Sequence, residues 1–236
     1  MKKILQKSFK IFFQVFFKLI YGKIIYSEDN LLSKKNFIKE VKNKNILDFF
    51  KKKYQVFKIN NGRIYTDNVE NVAVINKNKI IDHISYQQIL GNLVGAHKNI
   101  CIEKGTPRFK KKFKGKVLLL AQGASGHSNY YHWLFDLLPR IKIYSEIYDI
   151  KDLDYLYANK LKKWQRQSLV PLGLEEMNII DTQKYRHIEA DEIICTGHPS
   201  YFSGYVEHQS KNTPVWVVKW LRETFLCSAK KFTCND

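Results

Sequence analysis

Several features that would assign the chain to a familiar class are missing from its 236 residues. No apolar run approaches the roughly 20 residues that span a bilayer, and no A-x-A-like cleavage site follows the N-terminal segment. The sequence contains no internal repeat and no long low-complexity linker. Cysteine is scarce and shows neither CxxC nor metal-finger spacing, which favours reduced structural thiols in a cytosolic setting. The cysteines are Cys101, Cys195, Cys227 and Cys234.

Acidic residues are also few. The chain has 22 Asp and Glu residues and 40 Lys and Arg residues, which gives a formal net charge of +18. Such an excess attracts nucleic acid, anionic lipid or phosphorylated small molecules, although a general bias toward Lys, Ile and Asn explains part of it. A hydrophobic fraction of 44% and an aromatic fraction of 14% indicate a folded globular protein with a sizeable core.

The N-terminal segment, residues 1–25, has a helical period. Lysines and a glutamine recur every three or four residues up to Lys18, while Phe9, Phe12 and Phe16 lie on the opposite side. We predict a basic amphipathic helix in the membrane interface, so that a cytoplasmic protein lies peripherally on the inner face of the plasma membrane. Two alternatives remain: a helix packed on its own domain, and a cleaved signal peptide.

A helical and β-rich region is predicted over residues 26–105. Asn36–Val41 and Ile46–Phe50 indicate small helices. From Tyr54 to about Gln88, short alternating segments are separated by Asn-Asn-Gly and Asn-Lys-Asn turn signals. The basic stretch Thr106–Lys116 is interpreted as a connector, either a solvated loop or a rim that attracts phosphate.

Strands and helices alternate over residues 106–236. This order implies βαβ units and an α/β fold with a Rossmann-like parallel sheet. In such sheets ligands lie outside the carboxyl ends of the strands, which is where the loop Thr196–Tyr205 falls. The predicted strands are Lys116–Ala121, Leu153–Ala158, Asn178–Ile180 and Glu192–Cys195, and the predicted helices begin near Ser128, at Lys162 and at Pro214.

The helix that begins near Ser128 is apolar or aromatic almost all round. At about 100° per residue its polar side chains share an arc of about 80°. Burying a histidine, a carboxylate and a guanidinium without use is costly, so this stripe should face partners or a cleft. The stripe consists of Asn129, His132, Asp136 and Arg140.

The same stretch, NYYHWLFDLLPR (Asn129–Arg140), closely resembles the signature of glycosyltransferase family 61, which includes bacterial capsular polysaccharide biosynthesis proteins. The segments GKVLLLAQ, WQRQSLVPLGL and IEADEIICTG also resemble the family's layout. The resemblance implies a GT-B-like, inverting glycosyltransferase that uses a nucleotide sugar and no essential metal or other cofactor. It also leads us to expect that the second, donor-binding Rossmann-like half is absent or incomplete in this chain, or is supplied by a separate chain.

An inverting transfer needs a base for the acceptor hydroxyl and a polar environment for the leaving diphosphate. The candidate catalytic residues are His132 and Asp136; either is the base, or the pair only braces the helix. Asn129 is a candidate cap and hydroxyl ligand, and Arg140 pairs with a phosphate or with Asp136. The remaining candidate substrate-binding residues are Ser128 and His198, the first at a helix N-terminus suited to anions and the second in the strand-end loop.

We therefore expect transfer of a sugar to a growing surface glycan, with nucleotide sugar, glycan acceptor and anionic membrane as partners. One rival hypothesis is an acceptor-side fragment that folds but is inactive alone. Another is a nucleic-acid or anionic-membrane binding module. Because no recognised nucleic-acid motif is present, we expect no nucleic-acid partner.

Overall fold

One open β-sheet joins the N-terminal and C-terminal parts of the chain. The computed structural model describes residues 2–26, 38–43, 53–67, 71–82, 84–89, 92–121, 129–200 and 213–233. Within these ranges the protein is a mixed α/β fold, as predicted, and is compatible with a Rossmann-like architecture.

The elements follow one another in this order. The first part contains α1 (Lys2–Tyr21), β1 (Ile25–Tyr26), β2 (Ile38–Glu40), β3 (Gln55–Asn60), β4 (Arg63–Thr66), β5 (Asn71–Asn76), β6 (Lys79–Ile80), β7 (Tyr86–Ile89), β8 (Asn92–Val94) and α2 (Ile100–Lys104). The second part contains β9 (Lys111–Leu119), a π-helical segment (His132–Leu137) that continues into α3 (Leu138–Ser145), β10 (Tyr155–Ala158), α4 (Lys163–Gln167), β11 (Asn178–Asp181), β12 (His187–Thr196) and α5 (Val215–Thr233).

The C-terminal half of the sheet is parallel. Its strands lie in the order β12, β9, β10, β11, with Leu118 of β9 opposite both Ile194 and Leu156. β12 is also the strand that joins the two halves, because β3 and β4 both pair with its other edge in antiparallel fashion. The β-rich region and the Rossmann-like region predicted from the sequence thus share this sheet.

β3 and β4 run in the same direction along β12. The chain does not reverse at Asn-Asn-Gly, so the predicted turn is wrong: Asn61, with φ of 51°, donates its amide to the carbonyl of Asp191, and the register with β12 continues through Gly62. The Asn-Lys-Asn signal is a true hairpin between β5 and β6. Its two central residues, Lys77 and Asn78, both have positive φ, as a two-residue hairpin turn requires.

Two other predictions need correction. The basic stretch up to Lys116 is not a connector throughout, because β9 begins at Lys111 and pairs there with β12. Two lysines of this stretch pair with Glu189: Lys110, and Lys112, which donates to the carboxylate at 2.8 Å. Ile38–Glu40 forms a strand on β3 and not a helix, since its alternating side chains suit pairing. The predicted helix at Ile46–Phe50 lies outside the described residues.

The predicted strands otherwise agree with β10 and β11 to within two residues, and the predicted helix starts agree with α4 and α5 to within one, but β12 begins at His187, five residues before the predicted strand. Side chains of the parallel strands alternate between two cores. Leu118 and Leu120 face the layer that holds the helix of residues 132–145, and Val117 and Leu119 face the other layer. Each fully buried aliphatic side chain of this kind contributes about 1.5–3 kcal/mol.

Candidate active site: a buried carboxylate between two histidines

The helix of the predicted polar stripe begins beyond the carboxyl end of β9. Asn129 opens it, and the side-chain Oδ1 accepts from the amide of His132 at 3.3 Å, which confirms the predicted cap. His132–Leu137 form a π-helical segment, and the amide of Leu138 donates to the carbonyl of Trp133. Pro139 then falls in the first turn of α3, where its missing N–H is not needed. The helix thus continues through Pro139 into α3, with the π-helical turn immediately before it.

The polar stripe survives this change of geometry. His132 Nδ1 lies 2.6 Å from Asp136 Oδ2, one turn along the helix. The Asp136 side chain is fully buried, whereas that of His132 is 15% exposed. Only the imidazole is therefore within reach of a ligand in solution.

A second histidine approaches the same carboxylate from β12. His198 follows the carboxyl end of that strand, and its Nε2 lies 3.7 Å from Asp136 Oδ1. Nδ1 of His198 lies 3.1 Å from the amide nitrogen and 3.3 Å from the carbonyl oxygen of Ser200, so this residue holds the ring with Nε2 toward Asp136. His198 is 3% exposed, and it acts on the carboxylate more readily than on a substrate.

Burial dominates the electrostatics of this group. It raises the pKa of Asp136 above its usual value, and the hydrogen bond from His132 and the charges of His132 and Arg140 offset only part of the effect. Arg140 is itself buried, and its Nε donates to the main-chain carbonyl of Asp136 at 2.9 Å. The guanidinium thus fixes the turn that presents Asp136.

Distant residues hold the loop that carries His198. The hydroxyl of Tyr54, just before β3, donates to the carbonyl of Pro199 at 2.8 Å, and Trp216 Nε1 of α5 donates to the same hydroxyl at 3.0 Å. Neither contact was predictable from a local pattern, because the partners are more than a hundred residues apart along the chain.

An aromatic pair lies on the other side of the helix. The ring of Tyr130, 60% exposed, stacks on Trp164 of α4 with centroids 4.0 Å apart. Trp133 is buried behind them and donates through Nε1 to Ser168 Oγ at 2.8 Å. Trp133 is therefore a core residue, as its apolar surroundings predict.

The structure brings together five of the six predicted site residues in one group. Asn129, His132, Asp136 and Arg140 are linked along the helix, and His198 joins them from β12. Ser128 lies outside the described residues. Within the described ranges, no group of three or more His, Cys, Asp or Glu side chains is arranged to hold a metal ion.

Comparison of the chain with protein-family models, with curated proteins and with solved structures found no match. The observations that bear on function are therefore the group around Asp136 and the motif Asn129–Arg140 that contains it.

Proposed function

We propose that this chain takes part in the transfer of a sugar from a nucleotide-activated donor to a hydroxyl group of a surface glycan, such as a capsular polysaccharide, with inversion at the anomeric carbon. The observation that carries the proposal is the partly exposed His132 held by the buried carboxylate of Asp136. The resemblance of Asn129–Arg140 to the family 61 signature supports the substrate class. A GT-B architecture is the finer expectation, with which the observed open sheet is compatible.

The geometry supports His132 as the base. Its Nδ1–H donates to Asp136, which leaves the lone pair of Nε2 for the acceptor. Nε2 takes the proton of the acceptor hydroxyl as the hydroxyl oxygen bonds to the anomeric carbon and the nucleoside diphosphate leaves from the opposite face. The positive imidazolium is then stabilised by the carboxylate. Since Asp136 is fully buried, it is better suited to orient His132 than to meet the acceptor.

The other stripe residues have supporting roles. Asn129 is exposed and uses its Oδ1 as a cap, so its amide N–H groups are the atoms suited to an acceptor hydroxyl. Arg140 is buried and works through the main chain of Asp136. Binding of the leaving diphosphate therefore needs groups other than Arg140.

We also propose that α1 holds the protein on the membrane surface. No helix among the described residues is long and apolar enough to cross a membrane. Phe17 is buried, but most large apolar side chains of α1 are exposed, among them Ile4, Phe12 and Leu19 at 72%, 62% and 81%. A helix packed on its own domain would cover these side chains. Their exposure, together with the lysines of the same helix, supports an interfacial position.

The experiment replaces His132 in cells in which the wild-type gene has been deleted. Membranes from cells that express His132→Ala, the wild type or His97→Ala receive a labelled nucleotide sugar, and incorporation into glycan is measured. We expect His132→Ala to reduce transfer by about 10²–10⁴-fold. His97 is an exposed histidine outside the group, so His97→Ala is the matched control. Full transfer by a folded His132→Ala protein would refute the proposal.

A further inference from the structure

A cleft lies at the C-terminal end of α1, away from His132 and His198. It has a volume of about 360 Å³ and is bordered by the last two residues of α1, Ile20 and Tyr21, by the junction of β3 and β4, and by the hairpin between β5 and β6. The phenolic oxygen of Tyr21 accepts from the amide of Lys110 at 2.9 Å, which anchors α1 beside the cleft.

The cleft carries an excess of positive charge. Arg63, Lys77 and Lys110 line it together with one carboxylate, that of Glu189. Glu189 also pairs with Lys112, so its charge is shared between two lysines. Arg63 is only 7% exposed, and its Nη2 donates to the side chain of Asn78. A buried guanidinium held in one orientation at the wall of a cleft is suited to an oxyanion.

Side-chain amides supply further donors. Asn60, Asn61 and Asn76 line the cleft beside the three cations, and each amide presents two N–H groups. The combination of several cations, one of them a buried and oriented guanidinium, with neutral donors matches a phosphate group, with its several acceptor oxygens, better than a single carboxylate.

We propose that this cleft binds a phosphate group presented by a lipid at the bilayer surface. The inference rests on the proposed interfacial position of α1, because that position brings the last turn of the helix, and hence the cleft, to the level of the headgroups. It does not depend on sugar transfer.

The cleft is separate from the candidate active site. Asn60, the cleft residue nearest to the site along β12, pairs with Glu192, which lies four residues, or about 13 Å, before Thr196, and His198 lies beyond that end of the strand. A phosphate in the cleft therefore cannot be the leaving group at His132.

The test compares vesicle binding by Lys77→Asn and by Lys98→Asn. Both substitutions remove one exposed lysine charge, but only Lys77 lines the cleft. Asparagine tolerates the positive φ of 44° at position 77, so Lys77→Asn should fold normally. Binding is measured by sedimentation with phosphatidylcholine vesicles, with and without phosphatidic acid.

We expect phosphatidic acid to strengthen binding of the wild type, and Lys77→Asn to lose about tenfold on those vesicles. Lys98→Asn should lose no more than the roughly fivefold that any lysine near an anionic surface contributes. Equal losses in the two variants would overturn the inference in favour of general charge attraction. Arg63→Gln should behave as Lys77→Asn does.

Glycerol 3-phosphate separates the lipid source from a soluble one. Calorimetry should show weak binding that Lys77→Asn removes, and an excess should compete with phosphatidic acid vesicles. Tight binding of glycerol 3-phosphate, without any preference for phosphatidic acid vesicles, would reject the lipid source. Sugar transfer by detergent-solubilised Lys77→Asn should equal that of the wild type. If the cleft binds no phosphate, the proposal for His132 is therefore unaffected. Loss of transfer in His132→Ala, in turn, does not test phosphate binding by the cleft.

Discussion

Replacing Asp136 with asparagine should separate a catalytic role of the His132–Asp136 pair from a structural one. The amide has nearly the shape of the carboxylate, and its Oδ1 can still accept from His132 Nδ1, which lies 2.6 Å from the carboxylate. What Asp136→Asn removes is the negative charge that stabilises the imidazolium formed in the reaction. We expect transfer to fall by about 10²–10⁴-fold.

Although Asp136→Asn should reduce transfer, it should not reduce the free energy of unfolding. Burial raises the pKa of Asp136 above the 3.8 of an ordinary aspartate. Between 3.8 and the higher pKa of the folded state, the folded protein binds more protons than the unfolded chain, so its stability falls as the pH rises. Each unit of difference between the two pKa values corresponds to about 1.4 kcal/mol of unfolding free energy. Asparagine does not titrate, so Asp136→Asn should be at least as stable as the wild type at neutral pH.

The assay is thermal unfolding from mildly acidic to neutral pH, together with the rate of transfer in membranes. The wild type should lose stability toward neutral pH relative to Asp136→Asn. Asp152→Asn, at an exposed aspartate, is the matched control and should leave both quantities unchanged. A marked fall in the melting temperature of Asp136→Asn with normal transfer would refute the reasoning, because the pair would then only brace the helix against the sheet.

Three further predictions concern other parts of the molecule. His198→Ala should reduce transfer about tenfold and move the acidic limb of the pH–rate profile to higher pH, since Asp136 Oδ1 loses the polar imidazole whose Nε2 lies 3.7 Å away. His198→Gln, which keeps a polar side chain, should retain most activity. The double substitution of Phe12 and Phe16 by serine should weaken sedimentation with vesicles by at least tenfold, and Val170→Ser, at a half-exposed residue on the body, should not. Gly115→Ala should lower the unfolding free energy in denaturant by about 1–3 kcal/mol, because φ is +100° and the new Cβ would lie 2.3 Å from Asp154 Oδ2. Gly173→Ala, also at positive φ but with nothing within 4 Å, should cost less, and equal effects would show that the contact with Asp154 is unimportant.

The elements that could be predicted from the sequence are those whose pattern is local. The apolar runs that became β9, β10 and β12 stand out because parallel strands are covered on both faces. The contact between His132 and Asp136 was also predictable, although the turn is π-helical: residues four apart remain neighbours in a helix of slightly more than four residues per turn.

Long-range pairing was beyond the local pattern. Asn-Asn-Gly is a turn signal, yet the chain continues straight through it because β12 offers one edge to both β3 and β4. That edge lies more than 120 residues further along the chain. The approach of His198 to Asp136 depends on the same strand, since β12 must lie beside β9 before its loop reaches the helix. No spacing in the sequence contains that information.

β12 also explains why the two proposed activities can be changed independently. At its first residue, the ring of His187 meets the ring of Tyr21 of α1 edge to face, with centroids 4.9 Å apart. Beyond its last residue, Thr196, comes His198 beside Asp136. The strand between them spans about 30 Å, well over a Debye length at physiological ionic strength. Charges added or removed at α1 should therefore alter the fraction of protein on the membrane and leave the contact between His132 and Asp136 unchanged.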